Sequence, residues 1–245
     1  MKVGVIIQAR IGSTRLPGKV LKKLQGQSVL AHVVERVNQA TLVDEVIVAT
    51  TDLVEDDAII SEVKKLNASV FRGSEQNVLS RYAEAAHTFQ LDTVVRITSD
   101  CPLIDPHVLD DLIEYYQNHS VSLVTNAPPY EERRTYPRGF DIEVFSNDVL
   151  QATNRLNLET YQKEHVTPYI YEERHDVAFY QLDVDLSHYR LTLDTPEDFE
   201  VIQLIYGHLY HGEHDFYLDE ILMLLQQHPH IAKVNSNIDQ KNITD

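Results

Sequence analysis

The chain has 245 residues, 43% of them hydrophobic, and carries 38 acidic against 21 basic side chains, a formal net charge of -17. That length buries one full core and fits a single large domain or a domain carrying an insertion. The acidic balance argues against nucleic acid or an anionic membrane as the main partner, because either favours a broad basic face, and it leaves a small anionic ligand as the better fit. The lone cysteine, Cys101, excludes an intrachain disulfide framework. No apolar run approaches the roughly 18 residues that span a bilayer. No signal peptide precedes the first apolar run, so the sequence reads as cytoplasmic.

In chain order the first predicted element is a buried strand at residues 3–7, opening into the loop QARIGSTRLPGK. The first 34 residues contain no acidic side chain, yet they hold Lys2, Arg10, Arg15, Lys19, Lys22 and Lys23. A cationic, flexible loop at a strand end is a cradle for a polyanion, and phosphate is the expected occupant. Further strands are predicted at 45–49, 69–71, 93–97 and, less regular, 122–125, alternating with helices at 29–38, 57–66, 78–89 and 107–118. Ser28, Asp56 and either Ser74 or Asn77 are candidate N-caps, and Asp105 followed by Pro106 is a cap with proline at the first helical position. Strands alternating with helices imply βαβ units, so the fold class is α/β: a Rossmann-like, doubly wound, mostly parallel sheet.

The pattern breaks between Ala127 and Gly139 in PPYEERRTYPRG, which holds three of the nine prolines. Such loops in compact domains are often functional. Residues 140–145 then alternate apolar with acidic, which predicts a half-buried strand showing Asp141 and Glu143 on one face. After two helical stretches, strands are predicted at 178–184 and 189–193, leading into LDTPEDF, followed by helices at 196–208 and 216–227. The expected organisation is one domain over 1–245 with an inserted substrate or oligomerisation segment at 127–175 and a loose polar tail at 235–245.

The loop is not a Walker loop. Five residues rather than four separate Gly12 from Gly18, and Val20 stands where a magnesium-binding hydroxyl is needed. What remains is A-R-x-G-S-T-R-L-P-G-K after a first strand. On Ala9, Arg10, Ser13, Arg15, Pro17 and Lys19 this resembles the signature loop of the sugar cytidylyltransferases, the CMP-sialate and CMP-Kdo synthetases. VATT, FRGSEQNVLSRY, RITSDCPLIDP, YPRGFDIEVF, EHVTPYI and LDTPEDF extend the resemblance through most of the chain, and within the superfamily it is most similar to the spore-coat polysaccharide (SpsF-type) branch.

The resemblance implies a nucleotide-diphospho-sugar transferase type of sheet, CTP and a small acidic sugar as substrates, Mg2+ as cofactor, and a homodimer assembled through the inserted segment. Arg10, Arg15 and Lys19 are the candidates for neutralising the triphosphate and the leaving pyrophosphate, with Ser13 and loop amides near Ala9 completing the cradle. Asp100, which follows a buried run, and Asp194, at the end of another, resemble the family's two metal-binding aspartates, and hard carboxylate oxygens suit magnesium. A cap accounts for Thr195 and Asp198 but not for Asp194.

Arg72 and Ser74 occupy the segment from which relatives read the nucleobase. A structural salt bridge for Arg72 and a helix cap for Ser74 are the competing readings. Arg138, Asp141, Glu143 and His165 are the candidates for the acceptor sugar: Arg138 as a fork for its carboxylate, the acids as partners of its hydroxyls. The competing reading points the acids to water. His208, His211 and His214 are rejected as a zinc site because Gly212 interrupts them and no H-E-x-x-H occurs, and Cys101 reads as a small buried thiol rather than a nucleophile.

The expected activity is Mg-dependent transfer from CTP to an acidic sugar for cell-surface polysaccharide synthesis. The alternatives are a nucleotidyltransferase using another base or a sugar 1-phosphate, and a glycosyltransferase consuming a nucleotide sugar, for which Asp183-Val184-Asp185 would be the D-x-D pair. A non-catalytic nucleotide-binding protein is the remaining possibility, against which Lys19, Asp100 and Asp194 weigh.

Overall fold

In the computed structural model, which describes residues 1–240, the first apolar run forms the central strand β1 (Val3–Gln8). A small hairpin, β2 (Lys23–Leu24) and β3 (Gln27–Ser28), leads into α1 (Val29–Val37), whose cap is the Ser28 hydroxyl, accepting from the Ala31 amide at 3.1 Å. Next come β4 (Glu45–Thr51), α2 (Asp57–Val63), β5 (Ser69–Gly73), α3 (Val78–Thr88) and β6 (Thr93–Thr98). Asp105 caps α4 (Pro106–Asn118) as predicted, accepting from the His107 amide, while its other oxygen accepts from the Leu218 amide and ties in the C-terminal part of the chain.

After β7 (Leu123–Thr125) and the proline-rich loop come β8 (Glu143–Ser146), α5 (Asn147–Asn154), α6 (Thr160–His165), α7 (Pro168–Glu173) and β9 (Val177–Phe179). The chain closes with α8 (Pro196–Leu209), α9 (Leu218–Gln227) and α10 (His230–Lys233).

The strands form one sheet in the order β5-β4-β1-β6-β8-β7-β9, parallel except for β8, which runs against both neighbours. This is the predicted α/β class. The order explains why the strands read as unbroken apolar runs: helices cover both faces, so both side-chain sets are buried. Val5, Ile7, Val48, Val95 and Ile97 pack with α1, α4, α8 and α9, while Ile6, Ile47 and Val94 pack with Leu79 and Tyr82 of α3 and Ile170 of α7. Each fully buried Val, Ile or Leu side chain stabilises by roughly 1.5–3 kcal/mol. Chain order reverses beside β1, with β4 and β5 on one side and β6 on the other, so the carboxyl ends of β1 and β6 flank the crevice where doubly wound sheets bind ligands.

Several expectations need correction. Residues 189–193 form no ladder strand: the segment bends at Thr192 and has a single bridge, Arg138 to Arg190, supported by Arg138 N to Tyr189 O and Leu191 N to Arg138 O. Gly139 permits that contact. Its φ is +102°, and a Cβ there would lie 2.4 Å from the Leu191 carbonyl oxygen. The strand expected at 178–184 is only Val177–Phe179. Within the 127–175 segment, β8 lies inside the sheet between β6 and β7, and Gln151 of α5 donates to the Ala83 carbonyl of α3.

Asp56 does not cap α2. Its carboxylate accepts from the Thr51 hydroxyl and from the Ile11 amide at 2.7 Å, which latches the basic loop to the end of β4. The predicted tail is pinned where it begins, because buried Asn235 donates to the Arg190 carbonyl and to Asp198, and Gln240 accepts from Arg190. The rest of that tail, 241–245, lies outside the described residues. Among the described residues, no helix is long and apolar enough to cross a membrane.

Candidate active site

The site is built on two strand ends and one loop. Ala9, one residue past β1, still donates to the Ala49 carbonyl of β4. The chain then folds back on itself: Ser13 and Gly18 amides both donate to the Ile11 carbonyl, the Leu16 amide donates to the Ser13 hydroxyl, and Gly18 takes a left-handed φ of 65°. That turn delivers Lys19 to the start of a short 3-10 helix, beside the end of β6. Ser13 thus orders the loop in this structure.

Lys19 Nζ donates to Asp100 Oδ2 at 2.7 Å and to Asp194 Oδ1 at 2.9 Å. Asp194 Oδ2 also takes Arg15 and Arg190, each at 3.1 Å. Asp100 Oδ1 accepts from the Thr98 hydroxyl at 2.5 Å, and the Leu193 amide donates to the Asp100 carbonyl, so the two aspartates are held to one another through backbone as well as through Lys19. Burial works against the Lys19 charge, but Asp100 and Asp194 outweigh it and the ammonium pKa is raised. Burial alone would raise the Asp100 carboxyl. The Lys19 charge and hydrogen bond, with the Thr98 hydroxyl, hold it below the ordinary range.

Behind this pair stands Arg190, which sequence reasoning missed. Its guanidinium grips Asp198 through Nε at 2.8 Å and Nη2 at 3.0 Å, and reaches Asp194 with the same Nη2. Asp198, fully buried, also accepts from the amides of Asp194 and Thr195 and from Asn235. Burial pushes its pKa up, yet these donors hold it below the usual value. No sequence signal marked it, since Asp198 and Asn235 reach it only in the fold.

Of the predicted phosphate and metal residues, then, Arg15, Lys19, Asp100 and Asp194 converge, while Arg10 is exposed at the mouth of the loop. Arg15, Lys19 and Arg190 face Asp100, Asp194 and Asp198, three cations against three carboxylates. The cluster is electroneutral by itself, so a bound triphosphate calls for additional positive charge. Two hard carboxylates that already clasp one ammonium are a donor set that fits a magnesium ion.

The base-reading candidates are otherwise engaged. Arg72 donates to the Thr51 carbonyl at 3.0 Å, to the Leu53 carbonyl at 2.9 Å and to Asp57 at 2.8 Å, which ties β5 to the turn before α2. The Ser74 hydroxyl accepts from the Asn77 amide, and Asn77, not Ser74, caps α3. Arg72 is thus held as its structural reading expects, whereas the cap expected of Ser74 is made by Asn77.

On the acceptor side, the four candidates separate. Glu143 corrects the expectation of a solvent-facing acid: it is buried and accepts from Arg96 at 2.5 Å, Thr167 at 2.8 Å and Tyr171 at 2.5 Å. Burial on both sheet faces, not alternation, sets its environment, and its carboxylate is taken up by these three donors. Arg138 pairs with the exposed Glu131, and Asp141 pairs with Arg134. Asp141 nonetheless lies near the centre, since its charge and that of Asp100 both act on the Cys101 thiol, after burial, to raise its pKa. Cys101 is buried and unactivated, as expected. His165 ends α6, partly buried. Asp183, Val184 and Asp185 are exposed, with Asp185 holding the Ser187 amide, so the D-x-D triplet is a surface turn. A cavity lined by Asn38, Asp44, Glu45, Asn67 and Ser69 lies at the amino ends of β4 and β5, away from this site.

Comparison with known proteins bears on this arrangement. A family model described as cytidylyltransferase matches residues 4–238. The spore coat polysaccharide biosynthesis protein SpsF of Bacillus subtilis is 35% identical over 93% of this chain and 95% of its own length. A 3-deoxy-manno-octulosonate cytidylyltransferase of Geotalea daltonii is 40% identical over 46% of this chain and 44% of its own. The solved structure of a cytidylyltransferase from Leptospira borgpetersenii superposes with a TM-score of 0.89 at 34% identity, covering 98% of this chain and 99% of that one.

Proposed function

Because the chain belongs to the cytidylyltransferase family, we propose that it transfers CMP from CTP to an acidic sugar of the ulosonic or nonulosonic type, releasing pyrophosphate, in the cytoplasm and for cell-surface polysaccharide synthesis. The observation that carries this reading is Lys19 clasped between Asp100 and Asp194 on a basic loop at the switch point of the sheet.

In this reading Arg10, Arg15 and Lys19 take the phosphate oxygens, since guanidinium forks and an ammonium make charge-assisted bonds that strengthen as pyrophosphate departs. The sugar's anomeric hydroxyl attacks the α-phosphorus in line, the bond from that phosphorus to the bridging oxygen of pyrophosphate breaks, and the hydroxyl proton is released to solvent. Asp100 and Asp194 would hold Mg2+, which when bound screens the phosphate charge and lowers the hydroxyl's pKa. Arg190 fixes the Asp194 carboxylate from behind, and Asp198 fixes Arg190. On the acceptor side Arg138 and Asp141 remain the candidates, with Arg138 free to exchange its exposed Glu131 partner for a sugar carboxylate. The 127–175 segment, which exposes Tyr130 and Leu156, is proposed as a homodimer contact.

Pyrophosphate release measured with four triphosphates and a panel of acidic and neutral sugars tests the reading. Release with CTP and a sugar acid is expected. A preference for a neutral sugar, a sugar 1-phosphate or another triphosphate would replace it with a different nucleotidyltransferase reading.

A further inference from the structure

His32, Glu35 and His214 form a cluster that shares no residue with the carboxylate pair. One ligand atom from each lies within 4.8 Å of the others. His32 is fully buried on α1, and its Nε2 lies 2.7 Å from the Leu24 carbonyl oxygen, which only accepts, so Nε2 carries the proton and Nδ1 the lone pair. That lone pair faces His214 Nε2 at 2.8 Å, and His214 Nδ1 faces Glu35 Oε2 at 3.5 Å.

A neutral His214 has one N–H for two contacts that each need one. If the proton sits on Nε2, a lone pair confronts the Glu35 carboxylate. If it sits on Nδ1, two lone pairs meet at 2.8 Å. A second proton on buried His214 would place a charge in the interior. A cation held off the 2.8 Å line between the two inward nitrogens, at about 2.0–2.1 Å from each, satisfies every contact. Each ring then binds with one nitrogen and donates with the other to an oxygen, the arrangement in which metal-ligating histidines are ordinarily held.

We propose that His32 Nδ1 and His214 Nε2 bind a divalent transition-metal ion, zinc foremost, with the Leu24 carbonyl and Glu35 orienting the two rings. Imidazole nitrogen selects zinc over magnesium, which takes oxygen. The Glu35 side chain is 37% exposed and marks the way in. With its amide oriented to satisfy both neighbours, Gln27 donates to Glu35 at 2.9 Å and accepts from Tyr210. Arg36 opposes a cation here, but its guanidinium is turned to the Tyr206 hydroxyl, the Phe216 carbonyl and the Phe216 ring, and Glu35 supplies the compensating charge. The ion would link α1 to the segment that leads into α9.

The test is calorimetric titration of the full, chelator-stripped chain with zinc chloride, with thermal unfolding followed in parallel. One zinc equivalent is expected, raising the unfolding midpoint. Glu35→Gln, a change at a partly exposed position, should weaken it about tenfold, the ordinary effect of losing an orienting partner. His214→Ala should weaken it further and abolish the thermal shift. Asp100→Asn and His208→Ala should retain both effects. No zinc binding by the wild type overturns the proposal, as does binding that survives both His214→Ala and Glu35→Gln or disappears in Asp100→Asn. If His214→Ala does not fold, the Glu35→Gln result decides.

Discussion

Lys19 Nζ lies 2.7 Å from Asp100 Oδ2, so the residue read from sequence as a phosphate cation and the residue read as a metal ligand are each other's partner. In the proposed reading, that contact must be exchanged before either residue serves a nucleotide. A magnesium ion taking the carboxylates would release the ammonium towards phosphate, so the two components should bind with positive coupling: each removes a competitor for the other.

Lys19→Ala should weaken triphosphate binding or slow turnover at least about tenfold, roughly 1.4 kcal/mol, because it would delete the proposed charge-assisted phosphate contact. Lys22→Ala should do little, since Lys22 lies over the Phe199 ring at 5.5 Å. Calorimetry and steady-state rates on both variants decide this. Equal, negligible effects would reduce the basic loop to a surface feature.

Asp100→Asn and Asp194→Asn should each suppress turnover strongly with the fold intact. Their double variant should lose less than the sum, because they are proposed to hold one ion. Chelation should abolish activity and magnesium restore it. Undiminished turnover in excess chelator would exclude the metal-dependent reading.

Glu143→Ala should destabilise rather than alter acceptor use. It strips Arg96 of its carboxylate partner at a buried position, and breaking such a pair costs about 3–5 kcal/mol. Urea unfolding should show the loss, and the acceptor KM of whatever folded enzyme remains should stay near wild type. A stable variant with a greatly raised acceptor KM would return Glu143 to the substrate site.

These outcomes trace which parts of the molecule were legible in the sequence. The β1, β4 and β6 runs were, because strands buried on both faces must be apolar throughout, and they place Asp100 just past the end of β6; Lys19 and Asp194 rested on the motif resemblance, and the structure brings the three side chains together. Glu143 was misread because alternation reports which residues share a face but not whether that face is covered, and here Thr167 and Tyr171 close over it. Asp56 was misread as a cap because its real partner, the Ile11 amide, is remote in sequence. Arg190 was invisible for the same reason: an arginine in an apolar stretch looks like an interruption until Asp198 and Asn235 are brought to it.

That buried network gives the remaining prediction its sign. The Asp198 carboxyl is held below its ordinary pKa against the effect of burial, by Arg190, Asn235 and backbone amides. The unfolded chain therefore takes up this proton at a higher pH than the folded one. The stabilisation is full above the unfolded value, about pH 4, and is lost as pH falls through the lower folded value. Asp198→Asn should accordingly destabilise at pH 7 by about 3 kcal/mol, the scale of a broken buried ion pair. The gap to wild type should narrow steadily as unfolding is repeated below about pH 4. Turnover should fall too, because Arg190 without Asp198 no longer fixes the Asp194 carboxylate, whereas nucleotide binding measured without magnesium should change little. A stability gap that stays constant from pH 7 to pH 3 would mean the Asp198 charge is not what holds this end of the chain in place.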